Sequence, residues 1–444
     1  MLIRSANRTL DVQYYIWHDD LSGSLMLDEL EAAANRGVRV RLLLDDNGIA
    51  QLDGRLATLD LHAHVEVRLY NSFHIRKPKA LNWLFDFNRL KRRMHSKSLT
   101  VDNHITIVGG RNIGDEYFGA RRDGLFADLD LLAAGPIVPQ VSQAFDRYWT
   151  SGEAHPANRV FSSVSSKARQ TLASRAAAIA QSEQAESYRE AIRALPLFDD
   201  MSDGAMALVW AVARLIADDP VKVRKQGEQT GLAEFLAEEL RHPKSELTLI
   251  SGYFVPTCAA CNELAALTRR GIKVRVLTNS YAATDVGLVH VGYAPYRQRL
   301  LKAGIELFEM PGPDDKPKTA SKFIRSGSAR LHGAQAGRSL HAKAFIVDRN
   351  WLYVGSANFD PRSAHLNTEL GVVIESRILA GEMSRSFDEF THNSYRLGLD
   401  SSGRVQWMDE RDDMPQPNRV EPGTSLFSRN LIRLLSCLPL ERLL

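Results

Sequence analysis

One pattern of six chemically distinct residues occurs twice in this chain in identical register, and nothing else in the 444 residues restricts the fold so strongly. The first copy is His95, Lys97, Asp102, Gly109, Gly110 and Asn112; the second is His341, Lys343, Asp348, Gly355, Ser356 and Asn358. From each histidine the Lys, Asp, first Gly and Asn follow two, seven, fourteen and seventeen residues on. A single His-x-Lys-x(4)-Asp arises by chance in roughly one chain in thirty of this size at average composition. Two copies in register, each running into Gly-[Gly/Ser]-x-Asn, point to a duplicated unit.

The flanking residues predict the local geometry. Alternation of Ser96, Ser98 and Thr100 with Lys97, Leu99 and Val101 predicts a short strand, Thr106 to Val108 a second, and Asp102-Asn103 the turn between them. His and Lys two apart on a strand share a face. The Gly-Gly or Gly-Ser pair lets backbone approach a phosphate closely, and the Asn adds an amide donor. Each half thus offers an imidazole, an ammonium and an amide around one point, a set suited to an anionic phosphorus centre.

Upstream, Val12 to Trp17, a helix ending at Asn35-Arg36-Gly37, and Val38 to Leu44 read as strand, helix, strand. Leu247 to Phe254, a helix ending at Arg269-Arg270-Gly271, and Ile272 to Leu277 repeat that order, with glycine as the helix stop in both. The chain is expected to be two α/β units of one ancestry.

The paired motifs resemble the phospholipase D superfamily, and the wider sequence is similar to its bacterial cardiolipin synthase branch of the C type. That similarity rests on DVQYYIWHDDLSG, NRLKRRMHSKS, GGRNIGDEYFG, FADLDLLAAGP, SGYFVPT, TNSYAATDVGLVHVGYAPYR, NFDPRSAHLNTELGVVIES and the closing EPGTSLFSRNLIRLLSCLPLERLL. It covers nearly the whole chain apart from Val160 to Asp200 and Pro311 to Arg338. The resemblance implies an α/β fold class: two tandem phospholipase D-like domains, each a mixed β-sheet flanked by helices, related by pseudo-twofold symmetry with the active site at their interface. The expected division is residues 1–150 (motif 95–112), a mostly helical connector 151–244, residues 245–400 (motif 341–358), and a C-terminal extension 401–444.

The implied reaction is transfer of a phosphatidyl group from phosphatidylethanolamine or phosphatidylglycerol onto phosphatidylglycerol through a covalent phosphohistidine, with no metal and no cofactor. The residues agree with it: a neutral imidazole can attack phosphorus while a protonated one supplies the departing alcohol with its proton. By analogy His95 is assigned as nucleophile and His341 as general acid, then base. Lys97, Lys343, Asn112 and Asn358, with backbone at Gly110 and Ser356, are expected to hold the nonbridging oxygens. Asp128 and Glu369 occupy matching places after the motifs, where the family has an acid that orients an imidazole. Asp102 and Asp348 complete the catalytic motif, yet as residues closing a turn they serve the architecture more than the chemistry. Hydrolysis of phospholipid and, further off, a nuclease of the same superfamily are the alternatives.

A formal net charge of +3 gives no sign of a nucleic-acid-binding surface, so no nucleic-acid partner is expected. No run of about eighteen apolar residues occurs. The expected partners are phospholipid substrates and a membrane surface held peripherally, at the cytoplasmic face of the bacterial inner membrane; an accessory protein partner is left open. Phe73 to Met94 interleaves Trp83, Leu84, Phe85 and Phe87 with seven Lys and Arg residues, which suits either an anionic bilayer or a packed helix with a solvated basic end. Leu426 to Leu444 invites the same two readings. His290, with Asp285, Tyr293 and Arg297, either lines substrate or packs a helix. Cys258 and Cys261 lack a second pair, so zinc is not expected. Lys167 to Leu195 and Gly204 to Ala217 have helical periodicity, with Asp218-Asp219-Pro220 as a stop. The Gly-, Ser- and Lys-rich loop Pro311 to Arg338 leads into the second motif and could gate it. Met1 falls near the end of an expected helix, ahead of which relatives carry a short segment.

Overall fold

Val- and Leu-rich runs without strict alternation call for strands covered on both faces, and each half of the chain supplies them in the same order. The structure is a computed structural model that describes residues 1–120, 125–195, 208–223, 231–312, 337–412 and 414–436. Its first half contains β1 (Thr9–Ile16), β2 (Arg39–Gly48), β3 (Val65–Tyr70), β4 (Ser98–Val101), β5 (Ile105–Gly109), β6 (Leu125–Ala127), β7 (Asp130–Ala134) and β8 (Ala154–Pro156). All but β6 form one sheet in the order β7-β5-β4-β1-β2-β3-β8. The second half contributes β9 (Val212–Ala217), β10 (Glu246–Ser251), β11 (Lys273–Asn279), β12 (Glu306–Met310), β13 (Gly337–Leu340), β14 (Lys343–Val347), β15 (Trp351–Gly355), β16 (Leu370–Glu375), β17 (Tyr395–Leu399) and β18 (Val405–Asp409). These give the order β18-β17-β12-β11-β10-β14-β15-β16-β9, with β13 apart.

The duplication is visible in the register. β1, β2 and β3 run parallel, as do β10, β11 and β12, and the motif hairpin is added antiparallel to the first strand of each set. Gln13 lies opposite Ser98 and Ile250 opposite Ala344, so the two histidines sit at equivalent strand ends. The crossover helices Leu21–Asn35 and Cys258–Arg269 are each followed by a glycine with positive φ, Gly37 at 90° and Gly271 at 82°. Only glycine takes that turn without strain.

Three apolar clusters hold the layers. One covers the outer face of the first sheet, joining Leu10, Val12 and Leu42 to Leu27, Leu30 and Leu56 of the helices. A second does the same for Leu247, Leu249 and Val276 with Cys261 and Leu264. The third belongs to both halves: Val108, Leu129, Val138 and Val141 pack with Ala344, Ile346, Leu352 and Val372. The sheets therefore share a buried interface, and at about 25 cal/mol per Å² of apolar area removed from water this contact favours the halves staying together.

The stretch Lys167 to Leu195 forms two helices, Ser166–Ala180 and Glu183–Arg193. Gly204 to Ala217 does not behave as its periodicity suggests. Residues 204–207 lie outside the described residues, and Val212–Ala217 is the edge strand β9, paired antiparallel with β16 over six residues. Asp218 then accepts hydrogen bonds and pairs with Lys222 instead of ending a helix. Most of the loop Pro311 to Arg338 also lies outside the described residues. No helix among the described residues is long and apolar enough to cross a membrane.

Candidate active site

Each histidine is introduced by backbone pairing with the opposite half. The His95 amide donates to the Thr368 carbonyl and the Thr368 amide to Arg93, while the His341 and Ala342 amides both donate to Ala127. In the second case β13 lies parallel to β6, with Leu340 opposite Ala127. Thr368 and Ala127 immediately precede Glu369 and Asp128. The consequence is an exchange: His95 Nδ1 lies 2.8 Å from Glu369 Oε2, and His341 Nδ1 lies 2.5 Å from Asp128 Oδ2. A carboxylate can only accept, so Nδ1 carries the proton in both rings and Nε2 is left for chemistry. Each half orients the other half's imidazole.

All four of these residues are buried, as are Lys97 and Lys343. Each lysine ammonium donates to the carbonyl of its own motif histidine, which fixes it beside the ring and leaves two N–H groups. Burial lowers the His95 pKa to about 4 against the pull of Glu369, with Lys97 and Lys343 adding to the shift. His341 moves down for the same reason, with Lys343 reinforcing and Asp128 opposing. Burial likewise depresses Lys97 well below the ordinary lysine range and Lys343 to about 8. For the acids burial acts upward, but His341 and Lys343 hold Asp128 low, and His95 and Lys97 hold Glu369 low. That Lys97 feels Lys343, and His341 feels Lys97, places both motifs in one electrostatic site. Two ammoniums that depress one another would both regain charge beside an anion.

The two Gly-[Gly/Ser]-x-Asn segments differ in what they contact. A Cβ on Gly110 would lie 2.4 Å from Asp128 Oδ1 and 3.3 Å from Lys343 Cδ, so this position is constrained by the carboxylate. The equivalent Ser356 donates its hydroxyl to Glu369 Oε2 at 2.5 Å. Both residues thus lie against the orienting acids. Asn112 is buried, donates to the Tyr117 hydroxyl at 3.0 Å and accepts from the Ile16 amide at 3.2 Å, so part of its amide is committed to structure. Asn358 keeps a buried Oδ1 that has no hydrogen-bond partner among the described residues.

Asp102 and Asp348 are not brought to the imidazoles. Asp102, at φ 51°, accepts from the amides of Asn7, Arg8 and Thr9; Asp348, at φ 53°, accepts from Lys244, Ser245 and Glu246. They lie at the far end of the motif strand, about five residues at ~3.3 Å each from the lysine, and clamp the hairpin turn to the start of the neighbouring strand. Both carboxylates are thus committed to the turn.

Several contributors were not singled out from the sequence. Asp45 lies in the C-terminal half of β2 and accepts from the Met94 amide at 3.0 Å, with Arg93 as its buried partner. Asn279 ends β11 and exchanges two hydrogen bonds with Leu340. These equivalent positions fix the residue before each histidine, and aligning RLLLDD with RVLTNS brings them together. Asp218 Oδ2 accepts from the Glu369 amide and from Lys222. Aromatic rings are distributed unequally. Tyr15 stands edge-on to His95 at 5.0 Å, whereas Tyr117, Phe126 and Tyr253 surround His341 at 5.2, 5.5 and 6.4 Å.

The group around His290 divides. His290 and Arg297 are buried against Glu421, Arg297 also pairs with Glu309, and Tyr293 lies under the guanidinium at 4.9 Å. This is helix packing. Asp285 instead is exposed and accepts from Tyr253 at 2.7 Å. Cys261 is buried in the second-half core and Cys258 is exposed.

Two apolar patches are exposed, one on each half. In Phe73 to Met94 four of the seven basic residues meet carboxylates, Arg76 and Lys79 at Asp46, Arg89 at Asp86 and Arg93 at Asp45, while Lys77 is exposed. Trp83 packs between Phe73 and Phe87, while Leu84 and Phe85 are 76% and 80% exposed. On the other half the helix Leu426–Leu435 packs Ile432 against Val289 and Val291 and leaves Leu426 and Phe427 75% and 77% exposed. The first patch belongs to the segment whose last residue, Met94, is held by Asp45 of β2. The second leans on the helix Gly287–Tyr293, which follows β11.

Comparisons with known proteins agree with this arrangement. Residues 1–149 and 236–391 match the family described as cardiolipin synthase, phospholipase D-like domain. The chain is 42% identical over 449 residues to cardiolipin synthase C of Escherichia coli, covering 100% of this chain and 92% of that protein. It is 30% identical over 433 residues to an uncharacterized protein of Helicobacter pylori, covering 96% and 83%. The crystal structure of phosphatidylserine synthase from Haemophilus influenzae is similar in fold, with a TM-score of 0.61 at 14% identity, covering 100% of this chain and 90% of that one.

Proposed function

The chain belongs to the phospholipase D-like cardiolipin synthase family, and from that premise we propose that it transfers a phosphatidyl group to the glycerol hydroxyl of phosphatidylglycerol, forming cardiolipin. The observation that carries this is the exchange of carboxylates between halves. Because His95 is oriented by Glu369 and His341 by Asp128, neither imidazole is complete within its own half, and both serve one phosphodiester.

His95 is the nucleophile. A pKa near 4 keeps its Nε2 unprotonated at neutral pH, so its lone pair attacks phosphorus while the bond to the departing headgroup oxygen breaks. His341 gives that oxygen its proton. In the second step His341 takes the proton of the incoming hydroxyl, the new O–P bond forms, and the N–P bond to His95 breaks. The phosphate's own negative charge raises both imidazoles and both lysines on binding, which supplies His341 with its proton and Lys97 and Lys343 with their charges. The two ammoniums then hold the nonbridging oxygens as charge develops.

Lipid is reached from a bilayer surface. Leu84 and Phe85 on one half and Leu426 and Phe427 on the other are exposed, and each such side chain is worth about 1.5–3 kcal/mol on full burial. With four of the seven basic residues of Phe73 to Met94 paired with carboxylates, apolar insertion contributes more to docking than charge does. Vesicle co-sedimentation tests this: Leu84→Ala with Phe85→Ala should weaken partitioning by about tenfold or more, and unchanged binding would contradict it.

The reaction is tested with purified chain on mixed phosphatidylglycerol and phosphatidylethanolamine vesicles carrying labelled donor. Cardiolipin should form in the presence of chelator and be lost in both His95→Ala and His341→Ala. Chelator-sensitive activity, or activity surviving either change, would overturn the proposal.

A further inference from the structure

An enzyme whose phosphohistidine is attacked by an alcohol in a watery setting needs something beside its base that a polyol can grip and water cannot. The pseudo-symmetry isolates a candidate. By the strand registers, Tyr253 occupies the place that Ile16 has in the first half, so the feature built on it has no counterpart beside His95. The Tyr253 ring stands nearly perpendicular to His341, 6.4 Å between centroids, and its hydroxyl donates to Asp285 Oδ2 at 2.7 Å. Burial and then Asp285 push the Tyr253 pKa well up, so this phenol remains a donor. Asp285 is itself exposed, and its second oxygen has no hydrogen bond from the described residues. Its charge nonetheless reaches the cleft, since it opposes the burial that depresses Lys343. The next residues, Val286 and Leu288, are exposed and apolar and belong to the segment against which the C-terminal helix packs. A carboxylate is thus held in a fixed direction between the imidazole and the surface from which lipid arrives. An ordinary solvated aspartate is not tethered to a ring that abuts the general base.

We propose that Asp285 and Tyr253 form a seat for a vicinal diol, the glycerol headgroup of the incoming lipid, beside His341. The inference rests on the assignment of His341 to the alcohol. The terminal hydroxyl gives its proton to His341 Nε2 as its oxygen bonds to phosphorus and the His95 N–P bond breaks. The adjacent hydroxyl donates a hydrogen bond to the free oxygen of Asp285 and transfers nothing. Water has one oxygen and cannot span both groups, so the seat favours transfer over hydrolysis without altering how phosphorus is attacked. Asp285 and Tyr253 are therefore specificity residues rather than catalytic ones.

The test uses the full chain on phosphatidylglycerol vesicles with glycerol, 1,2-propanediol or 1-propanol supplied at equal concentration, and reads the ratio of phosphatidyl alcohol to phosphatidic acid. A hydroxyl bound to a charged partner and then lost costs about tenfold or more in such a ratio. The unaltered chain should prefer both diols to 1-propanol by at least about that factor. Asp285→Ala should bring the three alcohols to within about threefold, Tyr253→Phe should do so partially, and Asp285→Glu should retain part of the preference. A diol preference that is absent from the unaltered chain, or identical in Asp285→Ala, would overturn the seat while leaving phosphatidyl transfer intact. Donor turnover surviving in His95→Ala would instead overturn the transfer reading on which the seat rests.

Discussion

The two halves carry the same motif on the same strands, yet their histidines are supported differently. His95 leans on Glu369, one of whose oxygens also takes the Ser356 hydroxyl and whose other oxygen is buried with no partner among the described residues. His341 leans at 2.5 Å on Asp128, whose second oxygen takes the Leu129 amide, with no hydroxyl sharing the oxygen that faces the ring. Three aromatic rings crowd His341 and one meets His95. A carboxylate oxygen shared with a hydroxyl pulls less on its imidazole, so His95 stays neutral more readily and His341 holds a proton more readily. Duplication supplied two equal histidines, and this difference in surroundings supports the proposed division into an attacker, His95, and a proton carrier, His341.

The largest test of that comparison exchanges the acids for amides. Glu369→Gln and Asp128→Asn each remove the group that selects the tautomer, and losses of about 10³–10⁴ in kcat are expected by analogy with other carboxylate-oriented histidines. Rapid-quench kinetics should separate them. Glu369→Gln slows formation of the covalent intermediate, whereas Asp128→Asn slows both its formation and its breakdown, because His341 acts twice. Equal effects on both steps in both variants would erase the distinction.

Exchanging the residues at the matching glycine and serine sharpens it. Gly110→Ser brings a Cβ against Asp128 Oδ1 and should cost about a hundredfold in kcat, as misplacement of an orienting group does. Ser356→Gly should cost no more than about tenfold. It frees Glu369 to pull harder on His95, so the acid limb of kcat/KM should move upward by up to about one pH unit.

The unaltered limb follows from burial of the ring. His95 lies at about 4 in the folded chain against 6.5 unperturbed, so kcat/KM should fall only as pH drops through about 4, while loss of charge on Lys343 raises KM above about pH 8. Between 6.5 and 4 the unfolded chain binds the His95 proton and the folded one does not. Stability contributed by the neutral ring is therefore complete above that window and lost as pH falls through it. Thermal unfolding scans should follow that slope, and His95→Gln should flatten it.

The smallest effects belong to the turns. Asp348→Asn and Asp102→Asn should lower stability by about 1 kcal/mol through weakened backbone acceptors, with kcat kept within a few fold. Burial pushes both carboxyls up, but the backbone amides together outweigh it and hold them below the usual 3.8. Their contribution is therefore present above that value and disappears as pH falls through the lowered one.

The strands, the hairpins and the chemical groups of the site were legible because they are local: offsets, alternation and turn residues are written in neighbouring letters. Asp128 and Glu369 could be located by their matching places. Which histidine each would serve could not, because the pairing runs between chain segments 213 and 274 residues apart and depends on β6 meeting β13 and Met94 meeting Thr368. Val212 to Ala217 failed for a related reason. A short apolar run fits a buried helix or a strand equally by periodicity, and its pairing with Leu370–Glu375 decides the matter. The segment Phe73 to Met94 looked basic and aromatic in one dimension; the carboxylates that meet three of its basic residues, Asp45 and Asp46, come from another strand.

The most direct measurement is to mix the enzyme with donor lipid labelled in its phosphate, quench in alkaline denaturant that preserves phosphohistidine, and map the label by mass spectrometry. The account predicts a phosphatidyl adduct on His95, greatly diminished in Glu369→Gln and still found on His95 when acceptor is withheld. Label on His341, or turnover with no histidine adduct at all, would contradict it.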